Sequence, residues 1–171
     1  YMKRRVHEIG ALAGFEKSGH FFFNKPLGRG YDDGLVFALA VCDMLDRNPG
    51  KSMADLKNAL PKTWSSPTMS PHCEDEVKYR VVDAVVAHFE QAKAKGEKVA
   101  GQSIRELVTV NGVRVTVEDG SWGLVRASSN KPELVVVVES PVSEARMRDM
   151  FKAVDTVLRT HPEVGEYNQT I

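Results

Sequence analysis

Three side chains that could bind the hydroxyl groups of a ligand stand close together near the start of the chain. Glu16, Ser18 and His20 occupy alternate positions within residues 14–20, a segment that begins with a glycine and contains another. If the segment is extended, alternate side chains project to the same side. They would then offer a carboxylate, a hydroxyl and an imidazole to the hydroxyls of a sugar. The alternative is a surface turn whose polar residues have no function.

A second polar segment, residues 126–132, lies far downstream between two apolar runs typical of strands. It contains Arg126, Ser128, Ser129 and Asn130. A guanidinium group can bind phosphate oxygens through paired, charge-assisted hydrogen bonds, and the backbone N–H groups of such a loop can form a concave anion site. The alternative is an ordinary hairpin turn rich in serine and asparagine. The residues alone leave both interpretations open.

The rest of the chain shows no pattern that predicts catalysis or metal binding. Glu16 and His20 have no third ligand nearby for a metal ion. No nucleophile stands beside a matched base. The other histidines occur in contexts more typical of structure or of solvated surface than of catalysis. We therefore expect the two polar segments to bind a ligand, with neither a catalytic residue nor a metal site in this chain.

The composition argues against several kinds of partner. The 171 residues include 23 lysines and arginines and 23 aspartates and glutamates, so the formal net charge is zero. Such a chain has no overall field to attract nucleic acid or an anionic membrane surface. Its apolar runs are far shorter than the ~20 residues that span a bilayer. Cys42 and Cys73 form no C-x-x-C motif. We expect a soluble, cytoplasmic protein with reduced thiols and with no nucleic acid or membrane partner.

The first part of the chain predicts helices and short strands around the first polar segment. A helix is expected to end near Gly10, with a short strand on each side of residues 14–20. A second helix is expected from an N-cap at residues 32–33 to about Arg47. It is predicted by four apolar residues at helical spacing, Leu35, Leu39, Cys42 and Leu45. Ser52 is expected to cap a third, short helix.

A change of composition suggests two domains. Residues 62–71 are rich in serine, threonine and proline, which is typical of a boundary between domains. We place the first domain at residues 1–64 and the second at residues 65–171.

The second domain is expected to combine two helices with several antiparallel strands. A long helix is predicted at about residues 75–94, and a last helix follows a cap at Ser143. Alternating runs flank Asn111-Gly112, a strong hairpin signal. Another strand pair is expected at residues 122–126 and 134–139, joined by the second polar segment. This order predicts an α+β domain, an antiparallel sheet with helices on one face.

Both polar segments resemble motifs of the α-D-phosphohexomutase family. Glu16-Lys17-Ser18-Gly19-His20 resembles the family's G-E-x-S-G-H sugar-binding loop, with Phe15 at the position of the first glycine. Residues 126–132, which read R-A-S-S-N-K-P, resemble its R-x-S-N-T-x-P phosphate-binding loop. The order, the separation and the flanking sequences also agree, so the resemblance covers essentially the whole chain. It is greatest to the bacterial phosphomannomutase/phosphoglucomutase group.

The resemblance implies a role for each polar side chain. Glu16 and Ser18 would hold the 3- and 4-hydroxyls of the sugar, and His20 would contribute to the same loop. The phosphate that does not react would be bound by Arg126, Ser128, Ser129 and Asn130. Serine and asparagine stand at positions 129 and 130, where the family often has asparagine and threonine. All these types can donate hydrogen bonds, so we expect the anion site to be retained.

The resemblance also implies that the chain is part of a larger enzyme. Family members have four domains, and residues 1–64 would be an α/β remnant of the third, followed by the complete fourth domain at residues 65–171. The catalytic phosphoserine and the Mg²⁺ loop would lie in the missing domains. Those domains and a small sugar phosphate would be the partners of this chain. Glucose or mannose 1,6-bisphosphate would be the intermediate, and the 171-residue chain alone is expected to be inactive.

Two alternatives to a phosphomannomutase/phosphoglucomutase remain open at this point. A phosphoglucosamine mutase shares both loops and differs in what it accepts at the 2-position of the sugar. A stand-alone module that binds an anion or a sugar phosphate would contain both loops without a catalytic domain. The coding sequence upstream of Tyr1 would distinguish the enzymes from the module.

Overall fold

The computed structural model describes residues 2–16, 18–169 and 171. Its internal contacts divide the chain into two compact units, Tyr1–Leu60 and Pro61–Ile171. The sequence prediction placed the domain boundary between residues 64 and 65. In the structure, Trp64 and Ser65 form a strand of the second unit, and Ser66, Met69 and Ser70 are buried. Much of the segment interpreted as a boundary is therefore part of the second unit.

The first unit is a β-hairpin with three helices. Helix α1, Met2–Glu8, precedes the antiparallel strands β1, Ala13–Phe15, and β2, Phe21–Phe23. Helix α2, Gly34–Asp46, and helix α3, Met53–Asn58, follow. All five elements lie where the sequence predicts them.

Side-chain caps explain where α2 and α3 begin. The Asp33 carboxylate accepts hydrogen bonds from the backbone N–H groups of Leu35 and Val36, at 3.0 and 3.1 Å. Ser52 and Asp55 form a capping box at the start of α3. Such caps satisfy N–H groups that have no partner within the helix, so they depend on local sequence alone.

The apolar residues that predict α2 are not buried against the rest of the first unit. Leu35 is 70% exposed and Leu39 is 61% exposed, and no residue of α2 is buried. The helix contacts β2 through Phe37, whose ring stacks on Phe21 with the centroids 3.7 Å apart. The periodicity therefore identified the helix, but its contact with the hairpin is made by a different residue.

The second unit is a six-stranded antiparallel sheet with two helices. The strands are β3, Trp64–Ser65; β4, Lys98–Val99; β5, Gln102–Val108; β6, Val113–Val117; β7, Trp122–Ala127; and β8, Leu134–Ser140. Their order across the sheet is β3-β8-β7-β6-β5-β4. Helices α4, Lys78–Lys95, and α5, Glu144–Leu158, contact the sheet and each other and share one core with it. The prediction of an α+β domain is confirmed.

Three details of the second unit differ from the sequence prediction. Helix α4 begins at Lys78 and not near residue 75. Strand β4 was missed because its turn to β5 has no Asn-Gly or Asp-Gly signal; Ala100 and Gly101 make it with positive φ angles of 48° and 78°. The hairpin of β5 and β6 has a wider loop than a two-residue turn, since the last paired residues are Val108 and Arg114.

No helix in the described part of the chain is both long and apolar enough to cross a membrane.

The loop between β5 and β6 contacts the strand that leads to the second polar segment. Gly112 has a φ of +94°, and a Cβ atom added there would lie 2.2 Å from the Val125 carbonyl oxygen and 2.8 Å from the Arg126 Cα. The backbone of this loop therefore approaches β7 too closely for any side chain.

Replacing Gly112 with alanine should destabilise the second unit for two reasons, the positive φ angle at this position and the clash of the added Cβ atom with β7. Gly96 is the matched control, because it has a φ of +68° and nothing within 4 Å of an added Cβ. We expect Gly96→Ala to lower the free energy of unfolding by about 1 kcal/mol and Gly112→Ala by about 1–3 kcal/mol more, as in overpacking. Tryptophan fluorescence in urea measures this, since Trp64 and Trp122 both lie in this unit. Equal losses would contradict the close approach.

Candidate functional site

The first polar loop is a closed turn. The Glu16 N–H donates to the His20 carbonyl at 3.0 Å, and the Gly19 N–H donates to the Glu16 carbonyl at 2.9 Å. The backbone reverses between β1 and β2, so the segment is not extended and the condition under which alternate side chains would share one side is not met. Lys17 lies outside the described residues.

The turn nevertheless brings its three candidate side chains together. The Ser18 hydroxyl lies 3.4 Å from Glu16 Oε2, within hydrogen-bond distance. Glu16 and His20 line an open concavity of about 350 Å³, together with Lys3 and Asp32. Ser18 and His20 are exposed, and Glu16 is partly exposed. The loop therefore offers a carboxylate, a hydroxyl and an imidazole to a polar ligand from within the first unit.

Asp32 is a partner of this loop that the sequence analysis missed. Its carboxylate is hydrogen-bonded to Nδ1 of His20 and accepts from the Phe21 N–H at 3.2 Å. Only Asp33 of the two consecutive aspartates caps α2. One cap needs one carboxylate, so the second aspartate was the signal that could have indicated another role.

The pair of His20 and Asp32 changes the ionisation of both groups. The hydrogen bond and then the negative charge of Asp32 raise the pKa of His20 above its ordinary value. The hydrogen bond from His20 lowers the pKa of Asp32. The imidazole is therefore protonated over a wider pH range than a free histidine. Because Nδ1 bonds to Asp32, Nε2 is the ring nitrogen left for a ligand.

The second polar loop joins β7 to β8 at the end of a well-paired hairpin. Arg126 pairs with Val135, and Ala127 pairs with Leu134. Beyond them, the Ser128 N–H donates to the Glu133 carbonyl at 3.0 Å. The loop is therefore closed by backbone hydrogen bonds at its base, and residues 129–132 form its exposed end.

The four predicted phosphate ligands differ in exposure. Ser129 and Asn130 are exposed at the end of the loop, and Arg126 is partly exposed at its base. Ser128 is only 8% exposed, and its hydroxyl lies 3.5 Å from the Asn130 N–H. The structure thus brings the four residues into one short loop, with Ser128 beneath the exposed end.

The Arg126 guanidinium remains available for an anion. Its Nη1 donates to the Ala127 carbonyl at 3.0 Å. The ion pairs found among residues 2–16, 18–169 and 171 do not include it. An arginine without a carboxylate partner retains its full charge for a ligand.

Residues 71–73 and Lys78, the first residue of α4, form hydrogen bonds with the part of this loop that leads into β8. The Leu134 N–H donates to the Pro71 carbonyl at 2.9 Å, and the Cys73 N–H donates to the Pro132 carbonyl at 3.0 Å. The Lys78 ammonium donates to the Lys131 carbonyl at 3.0 Å. These contacts join residues far apart in sequence, and no local pattern indicates them.

Within the described residues, no three histidine, cysteine, aspartate or glutamate side chains are placed to hold a metal ion.

Substituting Asp32 with asparagine should lower the pKa of His20, because the carboxylate that raises it is removed. The matched control is Asp33→Asn, which removes the adjacent charge but no partner of His20. Titration of the His20 Cε1–H signal by NMR measures both. A fall of similar size in the two variants, or none in Asp32→Asn, would contradict the pairing.

The same pair predicts a pH window for stability. Because the folded-state pKa of His20 is raised, its stabilising contribution is lost as the pH rises through that pKa. Because the pKa of Asp32 is lowered, its contribution is lost as the pH falls through that value.

Comparison with known proteins identifies the family. The model of the phosphoglucomutase/phosphomannomutase alpha/beta/alpha domain III matches residues 1–64, and the model of the C-terminal domain matches residues 75–157. The chain is 32% identical to a phosphomannomutase/phosphoglucomutase from Pseudomonas putida over 95% of this chain and 32% of that protein. It is also 32% identical to a phosphoglucomutase from Neisseria meningitidis serogroup A over 90% of this chain and 31% of that protein.

A solved structure shows the same relationship. A phosphoglucomutase/phosphomannomutase family protein from Burkholderia thailandensis matches 92% of this chain and 30% of its own, with a TM-score of 0.72 and 28% identity. The chain spans about a third of the length of the curated relatives it matches. Two consecutive domain models match most of its residues, which confirms the resemblance seen in the two loops: the chain belongs to the phosphoglucomutase/phosphomannomutase family.

Proposed function

We propose that this chain is the substrate-binding C-terminal portion of a phosphohexomutase that interconverts hexose 6-phosphate and hexose 1-phosphate, with mannose and glucose as the sugars. The observation that carries the proposal is the loop between β7 and β8. It contains Arg126, whose guanidinium forms no ion pair among residues 2–16, 18–169 and 171, together with exposed Ser129 and Asn130. This arrangement suits the oxygens of a phosphate group. The names of the relatives support the class of substrate.

In this proposal the second loop binds the phosphate that does not react. Arg126 supplies the charge, and Ser129 and Asn130 donate hydrogen bonds from the exposed end. Ser128 lies under that end and helps to fix its backbone through the contact with the Asn130 N–H. The chemistry of phosphoryl transfer depends largely on positioning and on charge stabilisation. The loop would contribute the positioning.

The first loop would bind the hydroxyl groups of the sugar. Glu16 is an acceptor, and Ser18 is both a donor and an acceptor. His20 would use Nε2, since Asp32 engages its other nitrogen. The raised pKa of His20 favours a protonated ring, which donates from Nε2 to a sugar oxygen.

The reacting groups would come from other domains of the full enzyme. By analogy with the family, these supply the phosphoserine, bind Mg²⁺ and carry the sugar through glucose or mannose 1,6-bisphosphate. The residues of this chain would bind and orient the sugar phosphate. The 171-residue chain alone would then have no mutase activity, and a cytoplasmic location stays a prediction.

Replacing Arg126 with alanine tests the proposed function. The guanidinium should contribute about 1.5–3 kcal/mol as a charged hydrogen-bond donor, so the Kd for glucose 1-phosphate should rise roughly 10- to 150-fold. Amide shifts in ¹H–¹⁵N NMR spectra of the 171-residue chain measure the Kd.

Arg114→Ala is the matched control for this experiment. Arg114 is an exposed arginine on β6 that lies over the Trp122 ring at 4.7 Å and outside the loop. Its removal should leave the affinity nearly unchanged. Equal affinities of the Arg126→Ala variant and the unmodified chain would remove Arg126 from the site. An equal loss of affinity in both variants would mean that any positive charge on this surface has the same effect, so Arg126 would have no specific role.

A further inference from the structure

Lys78 is an unusual residue at an unusual place. It is 3% exposed, although lysine is seldom fully buried. It is also the first residue of α4, where the helix dipole disfavours a positive charge. Burying an ammonium group is costly unless it is paired and hydrogen-bonded. Such a residue needs compensating contacts, and their location indicates what it does.

The contacts of Lys78 link α4 to the phosphate-binding loop. Its ammonium nitrogen lies 2.5 Å from Asp75 Oδ1 and 3.0 Å from the Lys131 carbonyl oxygen. The Asp75 side chain is 63% exposed. Asp75 is thus close to solvent, whereas the bond to Lys131 crosses from the helix to the loop between β7 and β8.

This bond orients a peptide group next to the proposed phosphate ligands. The Lys131 carbonyl also accepts from the Glu133 N–H at 2.8 Å, so two donors hold it. Lys131 directly follows Asn130 in the chain. A carbonyl that points to a buried ammonium does not point to a bound anion, which would repel its oxygen. The exposed end of the loop then presents hydrogen-bond donors, and not this carbonyl oxygen, to an anion.

We infer that Lys78 is a positioning residue of the phosphate-binding loop, acting through the Lys131 carbonyl without touching the ligand. The inference rests on the proposed function of that loop. Asp75 balances the charge of Lys78 locally, so the main effect of Lys78 is on the geometry of residues 128–133 and the exposed end they form.

The experiment compares Lys78→Met, which removes both bonds at similar volume, with Lys78→Arg, which retains a charged donor. Arg146→Met is the matched control. Arg146 is a largely buried cation on α5 that also donates to a carboxylate and a backbone carbonyl, those of Asp119 and Ala100. Ala100 lies in the turn between β4 and β5, and Asp119 lies in the turn between β6 and β7, so neither bond is at the phosphate-binding loop.

Two properties of the 171-residue chain are measured for each variant. The first is the hydrogen-exchange rate of the Ser128 amide, which reports the order of the loop without any ligand. The second is the Kd for inorganic phosphate from NMR shifts. Lys78→Met should speed the exchange and weaken phosphate binding, each roughly fivefold, as expected for the loss of one hydrogen bond. Lys78→Arg should recover most of both, and Arg146→Met should lower stability while changing neither.

The outcomes separate the inference from the proposed function. Exchange and affinity within about twofold of the unmodified chain in Lys78→Met would overturn the inference. Equal effects in Arg146→Met would also overturn it, because general destabilisation would then suffice. If the unmodified chain binds no phosphate, the proposed function fails, and the exchange of Ser128 still decides whether Lys78 orders the loop. If Lys78→Met does not fold, Lys78→Gln replaces it in the same comparison.

Discussion

The antiparallel pairing of β7 with β8 is the interaction on which the proposed phosphate site depends. It sets Arg126 opposite Val135 and ends in the bond between the Ser128 N–H and the Glu133 carbonyl. A shift of register by one residue would move Arg126 to the other face of the sheet. Buried side chains on β8 hold the register, since Leu134, Val136 and Val138 are fully buried against the helices. The loop thus derives its geometry from the core beneath it.

The two units support their loops in different ways. The second unit has a continuous core of sheet and helices, and buried polar contacts such as that of Lys78 reach from this core to the loop. In the described part of the first unit, the buried apolar side chains are Val6, Phe22 and Phe23. The first polar loop is therefore held mainly by its own turn and by the pair of His20 and Asp32. Local polar contacts in an exposed unit contribute little stability, but they can still fix the orientation of a side chain.

Much of the fold could be predicted because its signals are local. Caps at Asp33, Ser52 and Ser143 and the apolar periodicity of α4 and α5 depend on residues within a few positions of each other. The sequence also identified both candidate loops. It could not supply the partners that the loops find elsewhere, such as Asp32 for His20 or Lys78 for Lys131, because those contacts depend on tertiary structure. Nor could the alternation of Glu16, Ser18 and His20 show whether their segment is extended, because alternation alone does not show where a backbone reverses.

We propose that each loop binds a different chemical group, the loop of the first unit the hydroxyls of a sugar and the loop of the second unit a phosphate. The most direct test is a ¹H–¹⁵N NMR titration of the 171-residue chain with inorganic phosphate and, separately, with glucose 1-phosphate. We predict that inorganic phosphate shifts the amides of residues 126–131 alone, whereas the sugar phosphate also shifts those of Glu16, Ser18 and His20. If glucose 1-phosphate left the amides of Glu16, Ser18 and His20 unchanged, the proposed role of the first loop would be wrong, and unchanged amides at residues 126–131 would exclude the second loop.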